Sequence, residues 1–247
     1  LERMTLRFLT HCRGPATPCR LTALLLGLAI ACAASPAAAQ RGAPSRDVAG
    51  VFDYYALVLS WSPTYCEESG DKRRDPQCRP RKERPYAFVL HGLWPQYERG
   101  YPNNCRTRER PFVSEPIINA MLDIMPSRGL IIHEYKKHGT CSGLTPRQYY
   151  GASRKLFEFI KISPRFIAPQ KEQFIGVREL KNEFAKVNRA LKPDMIGVVC
   201  RRGGGNRLRE IRICFTRKGR LRSCGANENQ RKLCRADRMF VPPVRYT

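Results

Sequence analysis

HGLWPQ (residues 91–96) and HEYKKHGTC (residues 133–141) carry most of the information in this chain. The chain has only four histidines, and three of them lie in these stretches, the fourth being His11. Histidine can both donate and accept a proton near neutral pH. Three histidines beside a glutamate and a lysine therefore indicate acid–base chemistry on a charged substrate.

The second stretch is predicted to be helical, which would bring its polar side chains to one side. With His133 set at 0° and about 100° per residue, Lys137 falls near 40°. Glu134 then falls near 100° and His138 near 140°, whereas Tyr135 points elsewhere. A polar helix surface with incidental histidines is the competing interpretation. The histidine of the first stretch weighs against it.

This set of side chains suits the cleavage of a phosphodiester. Two imidazoles on either side of the phosphate can act as general base and general acid, and a lysine can stabilise the developing charge. If the nucleophile is the substrate's own 2′-hydroxyl, no metal is needed, and RNA is cut while DNA is not. Trp94 offers a stacking face for a base, or it is a core residue that braces the turn at Pro95.

A zinc hydrolase is the main chemical alternative. Its signature places the second histidine four residues after the first, whereas His138 follows His133 by five residues. The two imidazoles would lie about 140° apart on a helix, too splayed to share one metal ion easily. We therefore predict no metal and no other cofactor.

Residues 1–39 are typical of a secretory signal peptide. Arginines precede an apolar run over 21–34, and small residues at 37–39 come before Gln40. The run is too short to span a bilayer comfortably, so we expect no stable membrane insertion after cleavage. A lipidated anchor at Cys32 is the alternative, but the leucine usual three residues earlier is missing. Residues 40–50 have the composition of a flexible lead-in.

The cysteine count favours export to an oxidising compartment. Three of the 11 cysteines lie in the leader, which leaves eight. An even number indicates up to four disulfide bonds, among about 105 possible connectivities. The sequence shows no Cys-x-x-Cys pair and no Cys/His cluster of zinc-ligand spacing. The eight are Cys66, Cys78, Cys105, Cys141, Cys200, Cys214, Cys224 and Cys234.

The charge is strongly positive. The leader carries four arginines and one glutamate, so subtracting its +3 from the formal +24 leaves +21 for the remaining 208 residues. This excess favours a polyanionic partner, for which we predict RNA. A solvated basic surface, or adhesion to an anionic cell envelope, is the alternative interpretation of the same charge. We expect one domain and a monomer.

Hydrophobic periodicity predicts the elements that carry these stretches. Strands are predicted over 52–61, 86–90, 195–200, 208–215 and 220–224, and helices over 114–125, 133–141, 145–160 and 177–191. Thr145 is the predicted cap of its helix, with Pro146 in the first turn. The strand over 86–90 would deliver His91 at its end. Because strands and helices do not alternate, the class is α+β.

Both stretches resemble the active-site segments of the ribonuclease T2 family. WSPTYC (residues 61–66) also resembles that family's first strand and following turn, and the resemblance covers most of residues 51–240. It implies an α+β fold with a central antiparallel β-sheet flanked by helices and stapled by disulfides, over 51–247. It also implies an endoribonuclease that acts through a 2′,3′-cyclic phosphate.

The resemblance assigns a role to each motif residue. By position, His91 matches the general acid and His138 the general base. His133 matches a phosphate-binding histidine, while Glu134 and Lys137 match the pair that supports the phosphoryl group.

The resemblance also bears on base recognition and on the disulfides. The family's usual tryptophan after His-Glu is Tyr135 here, and Gln96 stands at a position linked to base recognition. Trp94, Gln96 and Tyr135 are therefore predicted to contact the substrate, without a base preference. The implied disulfides are Cys66–Cys78, Cys105–Cys141, Cys200–Cys234 and Cys214–Cys224.

The leading hypothesis is a secreted or periplasmic, metal-independent endoribonuclease that cleaves single-stranded RNA. Imidazoles with ordinary pKa values near 6.5 would favour mildly acidic to neutral pH. The alternative from another class is a non-catalytic basic binding protein on an old enzyme scaffold. Such proteins usually lose a catalytic histidine, and this sequence has lost none.

Overall fold

The computed structural model describes residues 47–68, 75–78, 85–108, 110–201 and 205–245. The predicted signal peptide (1–39) and residues 40–46 of the predicted lead-in lie outside the described residues. Within the described ranges, no helix is long and apolar enough to cross a membrane.

A four-stranded antiparallel sheet organises the described chain. Its strands are β1 (Tyr54–Trp61), β2 (Phe88–Gln96), β4 (Ile196–Cys200) and β5 (Leu208–Thr216), in the order β2-β1-β5-β4. A second sheet pairs β3 (Gln173–Ile175) with β6 (Met239–Val241). The helices are α1 (Ser62–Glu68), α2 (Glu115–Asn119), α3 (Arg128–Lys137), α4 (Pro146–Phe159), α5 (Val177–Val187) and α6 (Gln230–Leu233). The predicted α+β class is confirmed.

One face of the large sheet packs into the hydrophobic core, and the other carries polar side chains. Successive side chains of a strand point to opposite faces, and Leu57, Leu59 and Trp61 of β1 point into the hydrophobic core, which includes side chains of α4 and α5. Register pairs Ala56 with Trp94, so Trp94 lies on the opposite face. The face turned away from the core therefore carries the polar site.

A β-bulge places His91 within β2 instead of at its end. Val58 pairs with Gly92 and Leu59 pairs with Leu90, so His91 is the extra residue of the bulge. Bulges redirect a side chain and are common next to active sites. The prediction that the strand ends at Leu90 was wrong. The extra residue of the bulge interrupts the apolar alternation of the sequence, but the strand continues to Gln96.

Helix α4 begins as predicted. The Thr145 hydroxyl accepts a hydrogen bond from the backbone N–H of Gln148, and the Gln148 side chain accepts one from the backbone N–H of Thr145. This reciprocal pair satisfies two N–H groups at the start of the helix. Helix α3 differs from the prediction, since it begins at Arg128 after the cap Ser127 and ends at Lys137.

Several further elements differ from the sequence-based prediction, among them β3, β6 and α6, which were not predicted. Helix α1 was not predicted, and residues 220–224, all of them described, form no strand beyond a bridge between Phe215 and Leu221. The helix predicted over 114–125 is helical only at Glu115–Asn119. Short elements of this kind depend on tertiary packing more than on local periodicity.

Four disulfides cross-link the described chain. The bonded pairs are Cys66–Cys78, Cys105–Cys141, Cys200–Cys234 and Cys214–Cys224, the same pairs that the family resemblance implied. Cys105–Cys141 matters most for the site, because Cys141 lies in the 3-10 turn Gly139–Ser142 that directly follows His138.

Candidate active site

The two histidine stretches meet on the polar face of the sheet. Strand β2 contributes His91 and Trp94, and α3 contributes Glu134 and Lys137, with His138 at its C-terminal cap. A cavity of about 400 Å³ opens beside them. It is lined by Trp94, Gln96, Tyr101, Lys137, His138, Arg212, Ala226, Asn227 and Lys232.

Glu134 connects the two stretches. Its carboxylate is 2% exposed, and its Oε2 accepts a hydrogen bond of 2.7 Å from the indole Nε1 of Trp94. Its Oε1 lies 3.5 Å from Nε2 of His91. Burial raises the pKa of Glu134, but the contact with His91 outweighs it and lowers the pKa below its ordinary value. A buried anion therefore links β2 to α3.

The first stretch needs a glycine after its histidine, because Gly92 lies directly against Glu134 and Trp94. A Cβ atom at this position would lie 2.0 Å from Oε2 of Glu134 and 2.7 Å from Nε1 of Trp94. Only a residue without a side chain lets the Trp94–Glu134 hydrogen bond pass this close to the strand.

Trp94 positions the second histidine. Its indole stacks on the imidazole of His138, with ring centroids 4.9 Å apart and an angle of 22° between the planes. The Arg212 guanidinium lies 5.0 Å from the indole centroid, and the ring of His91 meets it edge-on at 5.3 Å. Trp94 thus braces His138 while it lines the cavity. Trp94 is half-buried and lies outside the hydrophobic core, so the alternative of a core residue was wrong. Base stacking on Trp94 stays a prediction.

The two histidines whose rings lie against Trp94 differ in their protonation. Burial lowers the pKa of His91, but the carboxylates of Glu134 and Glu210 outweigh it and raise the pKa to about 9. Burial lowers the pKa of His138 to about 4, since Glu134 offsets it only in part and the charge of Lys137 adds to it. At neutral pH His91 is therefore a cation and His138 is neutral. The expectation of two ordinary imidazoles was wrong.

The remaining predicted phosphate ligands lie on α3. His133 is exposed and Lys137 is half-buried, one helical turn apart on the same side. Lys137 lines the cavity beside His138. His133 is not among the residues that line the cavity, and the binding of phosphate by these two residues stays a prediction.

Tyr135 lies in the core, which corrects the prediction that it contacts the substrate. It is 5% exposed, its hydroxyl donates to the carbonyl of Leu144 at 3.0 Å, and its ring packs edge-on against Tyr149. The helical geometry is the reason, since residue 135 is rotated by about 100° from Glu134 toward the core side of α3.

Gln96 lines the cavity with its amide already engaged. It is 2% exposed, its Nε2 donates to the carbonyl of Pro95, and its Oε1 accepts from Nδ2 of Asn227 at 2.9 Å. Nδ2 of Asn227 also lies within hydrogen-bond distance of the carbonyl of Gly100. Asn227 was not predicted, because it reaches the cavity from a segment far along the chain.

Sequence reasoning also missed Glu210 and Arg212 on β5. Glu210 is 5% exposed, and its Oε2 lies 3.6 Å from Nδ1 of His91. A usable signal exists in the sequence. Glu210 and Arg212 are charged residues two positions apart in β5, so they share one face of the strand, and buried charges require partners.

Known proteins match both the sequence and the fold. The model of the ribonuclease T2 family matches residues 52–224. A ribonuclease of Aeromonas hydrophila is 44% identical over 127 residues, which are 51% of this chain and 53% of that protein. A probable ribonuclease of Haemophilus influenzae is 27% identical over 188 residues, 70% of this chain and 61% of that protein. The chain therefore spans less than two thirds of the length of either relative.

Solved structures share the fold. RNase NT in complex with 5′-AMP aligns with a TM-score of 0.55 at 24% identity, over 78% of this chain and 99% of that one. Ribonuclease MC1 from bitter gourd seeds aligns with a TM-score of 0.54 at 22% identity, over 69% and 93%. Because the family model matches well over half of the 247 residues, the chain belongs to the ribonuclease T2 family.

Proposed function

We propose that this protein is a metal-independent endoribonuclease that cleaves single-stranded RNA. The observation that carries the proposal is the opposite protonation of two imidazoles held against the same indole. A reaction with one general acid and one general base needs one of them charged and the other neutral. Here His91 has a pKa of about 9 and His138 a pKa of about 4.

In the proposed reaction, His138 takes the proton of the substrate's 2′-hydroxyl while the 2′-oxygen forms a bond to phosphorus. His91 gives its proton to the 5′-oxygen as the bond between phosphorus and that oxygen breaks. The products are a 2′,3′-cyclic phosphate and a free 5′-hydroxyl. The substrate supplies the nucleophile, so DNA is not cleaved.

The other residues of the site have supporting roles in this proposal. Lys137 and His133 bind the non-bridging phosphoryl oxygens, whose negative charge grows in the transition state. Glu134 fixes Trp94 and His91 by the contacts described above. The base next to the cleaved bond enters the cavity beside Trp94 and Gln96. RNase NT, which shares the fold, was solved in complex with 5′-AMP, which supports a nucleotide ligand for this fold.

We extend the proposal to the organisation of the chain. Residues 1–39 are a signal peptide, 40–50 a lead-in and 51–247 one catalytic domain. The four disulfides favour an oxidising compartment, so the mature protein is secreted or periplasmic. It acts as a monomer on RNA, with a basic surface that raises the encounter rate.

The test is the pH dependence of kcat/KM together with two substitutions. We expect a plateau between about pH 4 and pH 9, because kcat/KM reports the pKa values of the free enzyme. His91→Ala and His138→Ala should each lower kcat/KM by about 10²–10⁴-fold. Both should bind a 2′-deoxy oligonucleotide within about threefold of the wild-type affinity, because most of that affinity comes from the basic surface.

Three outcomes would contradict the proposal. Near-normal turnover in both variants would remove the histidine pair from the mechanism. Tight RNA binding by the wild type without cleavage would assign the chain to the binding-protein class. Activity that disappears only with a chelator would indicate a metal-dependent reaction.

A further inference from the structure

The imidazole of His91 lies between two carboxylates. Its Nε2 is 3.5 Å from Oε1 of Glu134, and its Nδ1 is 3.6 Å from Oε2 of Glu210. Glu134 belongs to the histidine stretch of α3, whereas Glu210 comes from β5 on the other side of β1. The second carboxylate therefore reaches His91 through the pairing of the sheet.

The two oxygens of Glu210 have separate partners. Its Oε1 accepts hydrogen bonds from Nε and Nη2 of Arg212, at 2.9 Å and 2.7 Å. Its Oε2 is the atom that faces His91. Because a carboxylate that is 5% exposed is costly unless it is paired, this division fixes the orientation of the carboxyl group toward the imidazole.

Arg212 is itself held in place. Its Nη1 lies 3.6 Å from Oε1 of Glu228, and its guanidinium carbon lies over the Trp94 ring. Glu228 is 4% exposed and accepts a hydrogen bond from the hydroxyl of Tyr54. A chain of buried, paired groups on the polar face of the sheet therefore ends at the Nδ1 side of His91.

We propose that Glu210, held by Arg212, is a positioning residue that clamps the imidazole of His91 from the side opposite Glu134. The inference rests on the proposed function in one respect, the role of His91 as general acid. Two anions around one imidazole favour its cation. At 3.5 Å and 3.6 Å both contacts are longer than an ordinary hydrogen bond, so an N–H of the cation stays available to give its proton to the leaving oxygen. Glu210 touches His91 and need not touch the substrate.

The charged and titratable groups around His91 are few. Glu134 faces it from α3 and Glu210 faces it from β5. Among the described residues, Trp94 adds only a ring edge, and the imidazole of His138 is close enough for its own pKa to be lowered by His91. Since the two carboxylates are the groups that favour the cation, removal of either charge should release its proton at lower pH.

The decisive variant is Glu210→Gln, which keeps the shape and an oxygen for Arg212 but removes the charge. The pKa of His91, followed by NMR in the free protein, should fall by at least about one pH unit. The alkaline limb of the kcat/KM profile should move down by the same interval. At pH 8.5 the protonated fraction of His91 falls from about 0.76 to about 0.24 if its pKa drops from about 9 to about 8, so the variant should lose activity at least about threefold. At pH 6 it should stay within about 1.5-fold of the wild type.

Two further variants keep the test decisive. Glu228→Gln removes an equally buried charge that also pairs with Arg212 but is not in contact with His91. In Glu228→Gln the pKa of His91 should stay within about 0.3 pH units of its wild-type value. Glu210→Asp keeps the charge, so it should retain more than half of the rise in the pKa of His91. It can replace Glu210→Gln as the test variant if Glu210→Gln does not fold.

An unchanged pKa of His91 in Glu210→Gln would overturn the inference, as would equal decreases in Glu210→Gln and Glu228→Gln. The NMR titration needs no activity. If the wild-type protein cleaves no RNA and Glu210→Gln still lowers the pKa of His91 selectively, the proposed function fails and the clamping of His91 stands.

Discussion

The substitution Gly92→Ala should disable the site with a single added methyl group. The new Cβ would lie 2.0 Å from Oε2 of Glu134 and 2.7 Å from Nε1 of Trp94. Since a relaxed contact with carbon is roughly 3.5 Å, the carboxylate oxygen must retreat by more than about 1 Å. The hydrogen bond of 2.7 Å between Trp94 and Glu134 cannot survive that displacement.

The expected losses of stability and activity follow from the contacts that Glu134 and Trp94 make. A hydrogen bond to a charged group contributes about 1.5–3 kcal/mol to stability, so the free energy of unfolding should fall by about 2 kcal/mol. Trp94 stacks on His138 and Glu134 lies against His91, so both imidazoles lose a support. A displacement of about 1 Å in a catalytic geometry costs about 10²-fold, which is the expected loss in kcat/KM.

The assay combines kcat/KM for a dinucleotide with urea unfolding. Gly151→Ala in α4 is the matched control, because its Cβ would meet no atom within 4 Å. That variant should keep full activity and gain about 0.5–1 kcal/mol, as expected for glycine to alanine within a helix. The reasoning is refuted if Gly92→Ala stays within threefold of wild-type activity with unchanged stability.

Three smaller predictions concern the supports of the site. Trp94→Phe keeps an aromatic ring against His138 but removes the donor to Glu134, so kcat/KM should fall roughly tenfold, by about 1.4 kcal/mol, in the dinucleotide assay. Tyr135→Phe should lower the free energy of unfolding by about 1 kcal/mol in urea and leave kcat/KM unchanged, because its hydroxyl binds Leu144 in the core. Replacing Cys105 and Cys141 by alanine removes a disulfide between residues 36 positions apart, which should lower the unfolding free energy by about 4 kcal/mol. An activity loss in Tyr135→Phe at full stability would place that residue in the cavity after all.

The sequence predicted the elements whose signals are local. The apolar run of β1 and the Thr145 cap at the start of α4 are both set by residues a few positions apart, and both were predicted. The composition of the site was also predictable, since His91, Glu134 and His138 stand in two short stretches. Local periodicity and motif spacing were sufficient for these features.

The features that were missed depend on contacts between distant segments. The bulge at His91 exists because of its register against β1, which no pattern within β2 specifies. Glu210 reaches His91 only because β5 pairs with β1 on the side away from β2. The two shifted histidine pKa values follow from that juxtaposition, so ordinary values were the best expectation from sequence alone.

The burial of charged side chains on the polar face of the sheet costs folding free energy. Glu134, Glu210 and Glu228 are each at most 5% exposed, and Arg212 is the cation between two of them. Burial of unpaired carboxylates would be strongly destabilising. Their pairing with His91, Arg212 and Tyr54 makes this face of the sheet a polar network in place of a second apolar layer.

The most direct test of the account is the identity of the product ends. The oxidised protein should be incubated, in the presence of a chelator, with an RNA oligonucleotide and with its 2′-deoxy counterpart. We expect fragments that end in 2′,3′-cyclic phosphates from the RNA alone, with the DNA intact. Cleavage of both substrates, or products without a cyclic phosphate intermediate, would contradict the transfer of a proton from the 2′-hydroxyl to His138.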